Sequence, residues 1–355
     1  MTQGVALAKF WKNKNVLVTG HTGFKGSWLC FCLNRFGANV TGVSLEPDSS
    51  PNLFHLLNGE NICNSIICDI RNFESLSEHC KANDPEFIFH LAAQPIVRES
   101  YLNPVDTFES NIMGTVNILE SMKLLSNLKA AVMITTDKVY QENNVSQAYV
   151  EGDHLGGHDP YSSSKAACEI VIDSYRKSFL SDRGISIASA RAGNVIGGGD
   201  WSKDRLIPDA IRAWESQNIL KIRRPYSTRP WQHVLEPIYG YMMLAQQITS
   251  NPEKAEAYNF GPDSESIASV RDVITLANNF FSSGKVIYDQ ENEGPHEADW
   301  LSLDITKAKD NLGFTPKWSL SEAVEHTISW YMDLNNGQDA VGLCNKQIDL
   351  YENAK

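Results

Sequence analysis

The chain has 355 residues, a formal net charge of −12 and 42% hydrophobic residues. That length allows two domains or one large α/β unit, and the acidic balance argues against a nucleic-acid or anionic-membrane surface. No apolar stretch is long enough to span a bilayer and no leader pattern opens the chain; seven cysteines, odd in number and without a Cys-x-x-Cys pair, suit reduced thiols in a cytoplasmic protein.

Asn15-Val-Leu-Val-Thr19 is a short apolar run and reads as a buried strand. Gly20-His-Thr-Gly23-Phe-Lys-Gly26 follows at once, and the apolar stretch from Ser27 to Leu33 then suits a helix. Strand, glycine-rich turn and helix in that order make a phosphate cradle. The glycines admit a pyrophosphate, and the helix N-terminus supplies N–H donors and partial positive charge. Further strands are predicted at 39–45, 65–68, 87–91, 130–135 and 185–190, with amphipathic helical stretches between them, among them 105–125 and 166–179. This alternation predicts an α/β protein with a doubly wound parallel Rossmann sheet, a dinucleotide-binding domain over residues 10–190. Beyond Arg191 come a glycine-rich loop, Gly193 to Trp201, and helices broken by Arg- and Pro-rich loops. Residues 191–340 read as a smaller C-terminal α/β substrate domain, with a segment near 233–260 able to return to the first. The last dozen residues, rich in Asn, Gln and Lys, read as a loosely held tail.

Ligands of such sheets bind beyond the carboxyl ends of the strands. Polar groups collect there: Glu46, Asp69, Gln94, the run Thr135 to Lys138, and Arg191. Tyr161 and Lys165 follow in Asp-Pro-Tyr-Ser-Ser-Ser-Lys. Four residues apart on a helix, they share one face, and an ammonium beside a phenol favours the phenolate, a proton acceptor. Thr136, Asp137 and Lys138 offer a hydroxyl, a carboxylate and an amine that can orient a substrate hydroxyl and move protons, or else form an ordinary strand-end turn. Asp153, His154, His158 and Asp159 are metal-type side chains. They flank Gly156-Gly157 and precede Pro160, so a turn into the Tyr161 helix is expected and no metal site.

Several runs together carry a resemblance: Val18 to Trp28, His90 to Pro95, Thr136-Asp-Lys-Val-Tyr140, Leu155 to Ser162, Arg191 to Trp201, Thr228 to Val234 and Asn259 to Pro262. The chain resembles the extended short-chain dehydrogenase/reductases, the NAD-dependent epimerase/dehydratase family, from about Phe10 to about Trp330. Within them it is similar to the 4,6-dehydratases of CDP-glucose, since dTDP-sugar dehydratases carry Asp-Glu where this chain has Asp137-Lys138.

That resemblance implies bound NAD as cofactor and CDP-glucose as small-molecule substrate, in deoxysugar biosynthesis. Tyr161 would take the proton of the sugar 4-hydroxyl, with Lys165 and Thr136 in support. Asp137 is the candidate acid and Lys138 the candidate base for removing water, roles that require one protonated and the other neutral. Gly20, Gly23 and Gly26 would hold the cofactor's pyrophosphate, Thr22, Phe24 and Lys25 in the same loop would also bind the cofactor, and Asp69 and Ile70 would meet the adenine. Leu91, Ala92, Ala93, Thr135, Tyr161 and Lys165 would line the rest. Glu46, after the second strand, suits ribose hydroxyls and repels a 2′-phosphate, which favours NAD over the NADP that Lys25 leaves open. Gln94, Asn111, Asn194, Arg229, His233 and Glu297 are the candidates for the nucleotide-sugar, Arg229 for its pyrophosphate. The stretches 105–125 and 166–179 resemble the helices of the family's four-helix contact, which implies a homodimer or homotetramer. The alternatives are a nucleotide-sugar 4-epimerase, a 4,6-dehydratase for another nucleotide-sugar, and a non-catalytic dinucleotide-binding protein.

Overall fold

The structure, a computed structural model, describes residues 3–142, 147–263, 267–288 and 298–354. Among them seven strands form one sheet: β1 (Asn15–Thr19), β2 (Asn39–Ser44), β3 (Asn64–Ile67), β4 (Phe87–His90), β5 (Ala130–Ile134), β6 (Ser186–Ala192) and β7 (Ala257–Phe260). Their spatial order is β7-β6-β5-β4-β1-β2-β3, and every pairing is parallel. The six strands expected from the sequence are present, the first with its expected bounds and the others with one or both ends moved by one or two residues. The order reverses at β1, which lies between β2 and β4, so the glycine loop after β1 opens at the switch point where such sheets bind ligands.

Two hydrophobic clusters cover the sheet, and successive residues of a strand feed opposite ones, as a pleat with period two requires. Val16, Val18, Phe87, Phe89 and Val132 join one cluster, whereas Leu17, Ile88, Ala131 and Met133 join the other. Burial on both faces is why these strands read as unbroken apolar runs. The helices used below are α1 (Phe24–Arg35), α2 (Gly114–Met122), α3 (Pro160–Tyr175), α4 (Leu235–Ser250), α5 (Leu320–Asn335) and α6 (Ala340–Asn353). α1 and α4 contribute Trp28, Leu29, Leu235 and Ile238 to the first cluster, and α2 and α3 contribute Ile118, Leu119, Cys168 and Ile172 to the second.

Two expectations need correction. The stretch 105–125 is not one regular helix: Pro104–Phe108 runs into a π-helical turn at Glu109–Met113 before α2 begins. The wider turn sets Asn111 inward, fully buried. Nor is the C-terminus a loose tail. α6 is capped by Asp339, whose Oδ1 accepts from Gly342 N at 2.8 Å. Its buried residues Ala340, Leu343, Cys344, Gln347, Ile348 and Tyr351 follow helical spacing, which the polar residues between them masked. Tyr351 donates to Glu236 Oε2 at 2.7 Å, and Lys317 Nζ donates to the carbonyl oxygens of Tyr351 at 3.0 Å and Ala354 at 3.2 Å. Among the described residues no helix is long and apolar enough to cross a membrane.

Candidate active site

The glycine loop is shaped for close approach. Gly20 sits at φ +77, and a Cβ there would lie 2.7 Å from Ala92 N. A Cβ on Gly26 would lie 2.0 Å from Gly20 O, so only glycine lets α1 pack onto the turn. Gly23 caps α1 without a side-chain hydrogen bond and the first turn holds no acid, so its N–H groups face the loop uncapped by any side chain. Such a cradle fits a dinucleotide pyrophosphate. Thr22 Oγ1 bonds Ser44 Oγ and Leu45 O, both at 2.9 Å, tying the loop to the end of β2. Glu46 is exposed two residues beyond β2. Asp69 is bound by Arg71, and Ile70 is buried against Gly114, where a Cβ would come within 2.4 Å of Ile70 Cδ1.

Beside the loop lies a cleft of about 350 Å³. Lys25, Phe24's neighbour, lines it together with Leu91, Ala93, Thr135, Thr136, Lys138, Tyr161, Lys165, Asn194 and Arg229. A second cavity of about 210 Å³ shares Lys138, Asn194 and Arg229 with the first, so Lys138 stands where the two meet. Although the chain is acidic, the cleft carries Lys25, Arg98, Arg205, Lys221, Arg223, Arg224 and Arg229 against Asp200, Asp204 and Asp209. A locally cationic pocket in an acidic protein suits a pyrophosphate ligand.

Tyr161 and Lys165 sit on α3, which Asp159 caps: its Oδ1 accepts from Ser162 N at 2.9 Å and its Oδ2 from Ser162 Oγ at 2.6 Å. The residues from Asp153 to Asp159 thus form the turn into α3. Lys165 Nζ donates to the carbonyl of Ile134 at 3.3 Å, the last residue of β5. Burial pushes the Tyr161 phenol up to about 12; the Thr136 side chain and Arg205 act downward, and Asp137 and Asp159 upward. Tyr161 is therefore protonated at neutral pH in the free chain, and it needs a further positive charge close by to become a phenolate. Burial lowers Lys165, opposed by Cys168 and Glu169. Lys25, enclosed by the cleft walls, is pushed down to about 7 by burial and by Arg205 and Lys165.

Thr136 leads β5 into a short 3-10 turn at Asp137–Val139. Asp137 is fully buried behind the wall; its Oδ1 accepts from Thr136 Oγ1 and from Lys138 Nζ, both at 2.9 Å, while Oδ2 has no partner. Lys138 Nζ also reaches Asn194 Oδ1 at 3.5 Å. The structure thus gathers Thr136, Lys138, Tyr161, Lys165, Asn194 and Arg229 at one cleft, with Asp137 behind its wall.

Three residues expected on the nucleotide-sugar lie off its wall. Asn111 Oδ1 accepts from Gln94 N at 2.8 Å, and its Nδ2 donates to Gln94 O at 3.1 Å and Ser164 Oγ at 2.8 Å. The Gln94 amide is itself taken up by Ile96 and Thr107. These two fix the β4 end against α3 through the π-helical turn. His233 is fully buried, its ring 4.6 Å from Trp318 and 6.3 Å from Trp28. Glu297 lies outside the described residues. Sequence reasoning missed Arg205, which lines both cavities and is held by Asp200 Oδ2 at 2.9 Å. No spacing pattern marks a lone arginine, although it closely follows the glycine-rich loop. Among the described residues no group of three or more His, Cys, Asp or Glu could hold a metal ion.

Known proteins resemble this chain in sequence and in fold. A family model described as GDP-mannose 4,6 dehydratase matches residues 17–327. CDP-glucose 4,6-dehydratase of Salmonella typhimurium is 43% identical over 97% of this chain and 98% of its own length. The structure of UDP-glucuronic acid 4-epimerase from Bacillus cereus, in complex with UDP-glucuronic acid and NAD, matches with a TM-score of 0.76 at 27% identity, over 90% of this chain and 99% of that one. UDP-N-acetylglucosamine 4-epimerase from Methanobrevibacter ruminantium shares the fold at a TM-score of 0.78 and 23% identity, over 91% and 99% of the two chains.

Proposed function

The chain belongs to the GDP-mannose 4,6-dehydratase family, and we propose that within it the chain converts CDP-glucose to CDP-4-keto-6-deoxyglucose and water. The observation that carries this reading is the Asp137–Lys138 pair, with Lys138 on the wall beside Tyr161 and Asp137 directly behind it. A 4-epimerase needs only the first oxidation and its reversal, whereas loss of water needs an acid and a base as well.

NAD, when bound in the glycine cradle, supplies a reversible hydride acceptor and the positive ring charge that Tyr161 lacks. Tyr161 accepts the proton of the 4-hydroxyl, and Thr136 orients the same oxygen. Once C4 is a ketone, the C5 proton is acidic. Lys138 removes it, and Asp137 protonates the departing 6-hydroxyl as water. The pair is built to reach that state. Moving one proton from Lys138 Nζ to Asp137 along their 2.9 Å hydrogen bond turns an ion pair into an amine and a carboxylic acid. Lys138 then returns its proton to C5 after C6 is reduced.

Arg229, which lines the cleft together with Lys221, Arg223 and Arg224, supports binding of the substrate pyrophosphate. Residues 191–340, apart from α4 and β7, form the sugar-binding part. Exposed Leu102, Val105, Phe108, Met113, Ile170 and Phe179, on the helical stretches 97–113 and 160–180, support a homodimer through those stretches. Light scattering that gave a monomer at micromolar concentration would remove that part of the reading. Seven free, buried cysteines support a cytoplasmic setting. The function is tested by incubating the protein with CDP-, dTDP- and UDP-glucose and GDP-mannose, and following loss of one water by mass. CDP-glucose is expected to turn over fastest; faster turnover of another sugar overturns the assignment.

A further inference from the structure

Behind the cleft wall lies a second charged group that the chemistry above does not use. Glu169, one turn beyond Lys165 on α3, is 4% exposed and lines neither cavity. Its Oε1 accepts from Thr135 Oγ1 at 2.5 Å, and its Oε2 from Ser189 Oγ at 2.7 Å and Arg191 Nη2 at 2.8 Å. Arg191 continues to the Tyr140 hydroxyl at 2.9 Å, and Tyr140 to Asn259 Oδ1 at 2.6 Å. One carboxylate therefore ties α3 to the ends of β5 and β6, and through Arg191 to Tyr140 and β7. A buried ion pair seldom stabilises a fold better than apolar side chains of the same size would, so stability alone is a poor reason for this one.

We propose that Glu169 is a positioning residue: it grips Thr135, and so the strand end that carries Thr136 to Lys138, and sets its negative charge one turn from the Lys165 ammonium. This rests on the functional reading above. The charged and titratable groups that face Lys165 are Tyr161, Cys168 and Glu169 on its own helix, His90 from β4 and Lys25 from the glycine loop, with Arg191 across from Glu169 on β6. His90 is pushed down to about 3 by burial and by Lys165, so it is neutral. Cys168 is raised by burial and remains a thiol at neutral pH. Glu169 is thus the anion that offsets the burial of Lys165. Without it Lys165 loses its proton at lower pH, and both Tyr161 and the cofactor lose a nearby cation.

The test is Glu169→Gln in the NAD-loaded full chain, read by the pH–rate profile with CDP-glucose, by NAD affinity against pH and by thermal unfolding. The alkaline limb of rate and affinity is expected to move down by about one pH unit, with kcat lower by about tenfold or more. Thr135→Val, which cuts the tether and keeps the charge, is expected to lower kcat about tenfold without moving the limb. A folded Glu169→Gln variant with an unmoved limb and wild-type kcat overturns the proposal, whatever its melting temperature. If that variant does not fold, wild-type kcat in Thr135→Val overturns it. If the wild-type chain does not dehydrate CDP-glucose, the functional reading falls, and the pH dependence of NAD affinity still decides the role of Glu169.

Discussion

Two buried carboxylates lie on either side of the strand end at Thr135–Thr136, and they are solvated in opposite ways. Glu169 has hydrogen-bond donors on both oxygens, one of them a buried guanidinium. Asp137 has both of its donors on Oδ1 and none on Oδ2, and its partner Lys138 faces the cleft with 27% of its side chain exposed. A saturated pair has nowhere to put a proton and holds a geometry. An unsaturated pair beside a cavity can exchange one. The difference separates scaffold from chemistry within one short stretch of chain.

The largest effect expected belongs to the first oxidation, which neither pair performs. Tyr161→Phe removes the proton acceptor and should slow turnover by about a hundred- to ten-thousand-fold, measured as product formed per minute at saturating CDP-glucose. A loss below tenfold would move the first deprotonation elsewhere.

Lys138→Ala sharpens the contrast between the pairs. Tyr161 and Lys165 remain, so C4 can still be oxidised while C5 keeps its proton. Reduced-nicotinamide absorbance should rise on rapid mixing with CDP-glucose, with little dehydrated product. Asp137→Asn should behave alike if Asp137 is the acid. Normal turnover in the Lys138 variant would remove it from the elimination. Lost turnover without the absorbance change would place it in binding or in the first oxidation.

Stability should rank the pairs the other way. Arg191→Met leaves Glu169 charged and buried, which costs about 3–5 kcal/mol. Loss of Lys138 also strips the buried Asp137 of its cation, but water can follow through the cleft, so it should cost less, about 1–3 kcal/mol. Chemical denaturation measures both, and equal losses would collapse the distinction.

A third buried carboxylate gives the smallest effect. Glu236 accepts from the backbone N–H groups of Lys317 and Trp318 at 2.9 and 2.8 Å and from Tyr351, and burial pushes it up to about 7 from 4.5. Its protonated form is favoured in the folded chain. Its contribution is therefore full below pH 4.5 and is lost as pH rises towards 7. Glu236→Gln keeps a neutral acceptor, so it should raise the melting temperature at pH 8 and leave it unchanged near pH 4.5. A lower melting temperature at pH 8 would show that the carboxylate itself is needed there.

The sheet and the Tyr161–Lys165 helix were legible in the sequence because strands buried on both faces are continuous apolar runs, and glycine turns and helix caps are local. Asp137-Lys138 was legible for the same reason: neighbours in sequence, they remain neighbours in space. Gln94, Asn111 and His233, expected at the sugar, stand off the cleft wall, because polar residues near strand ends can turn inward to hold those ends, and sequence does not show which way they point. The Glu169–Arg191 network joins residues 20 or more positions apart, and Arg205 reaches the site from the other half of the chain. Neither has a local signature. The polar face of α6 hid a buried face running from Ala340 to Tyr351.

The most direct test of the whole account is the fate of the hydrogen at C4. With CDP-glucose carrying deuterium at C4, the account predicts a product lighter by one water, with deuterium at C6 and no net consumption of NAD. Deuterium retained at C4 of an epimerised sugar, or released to solvent, would contradict it.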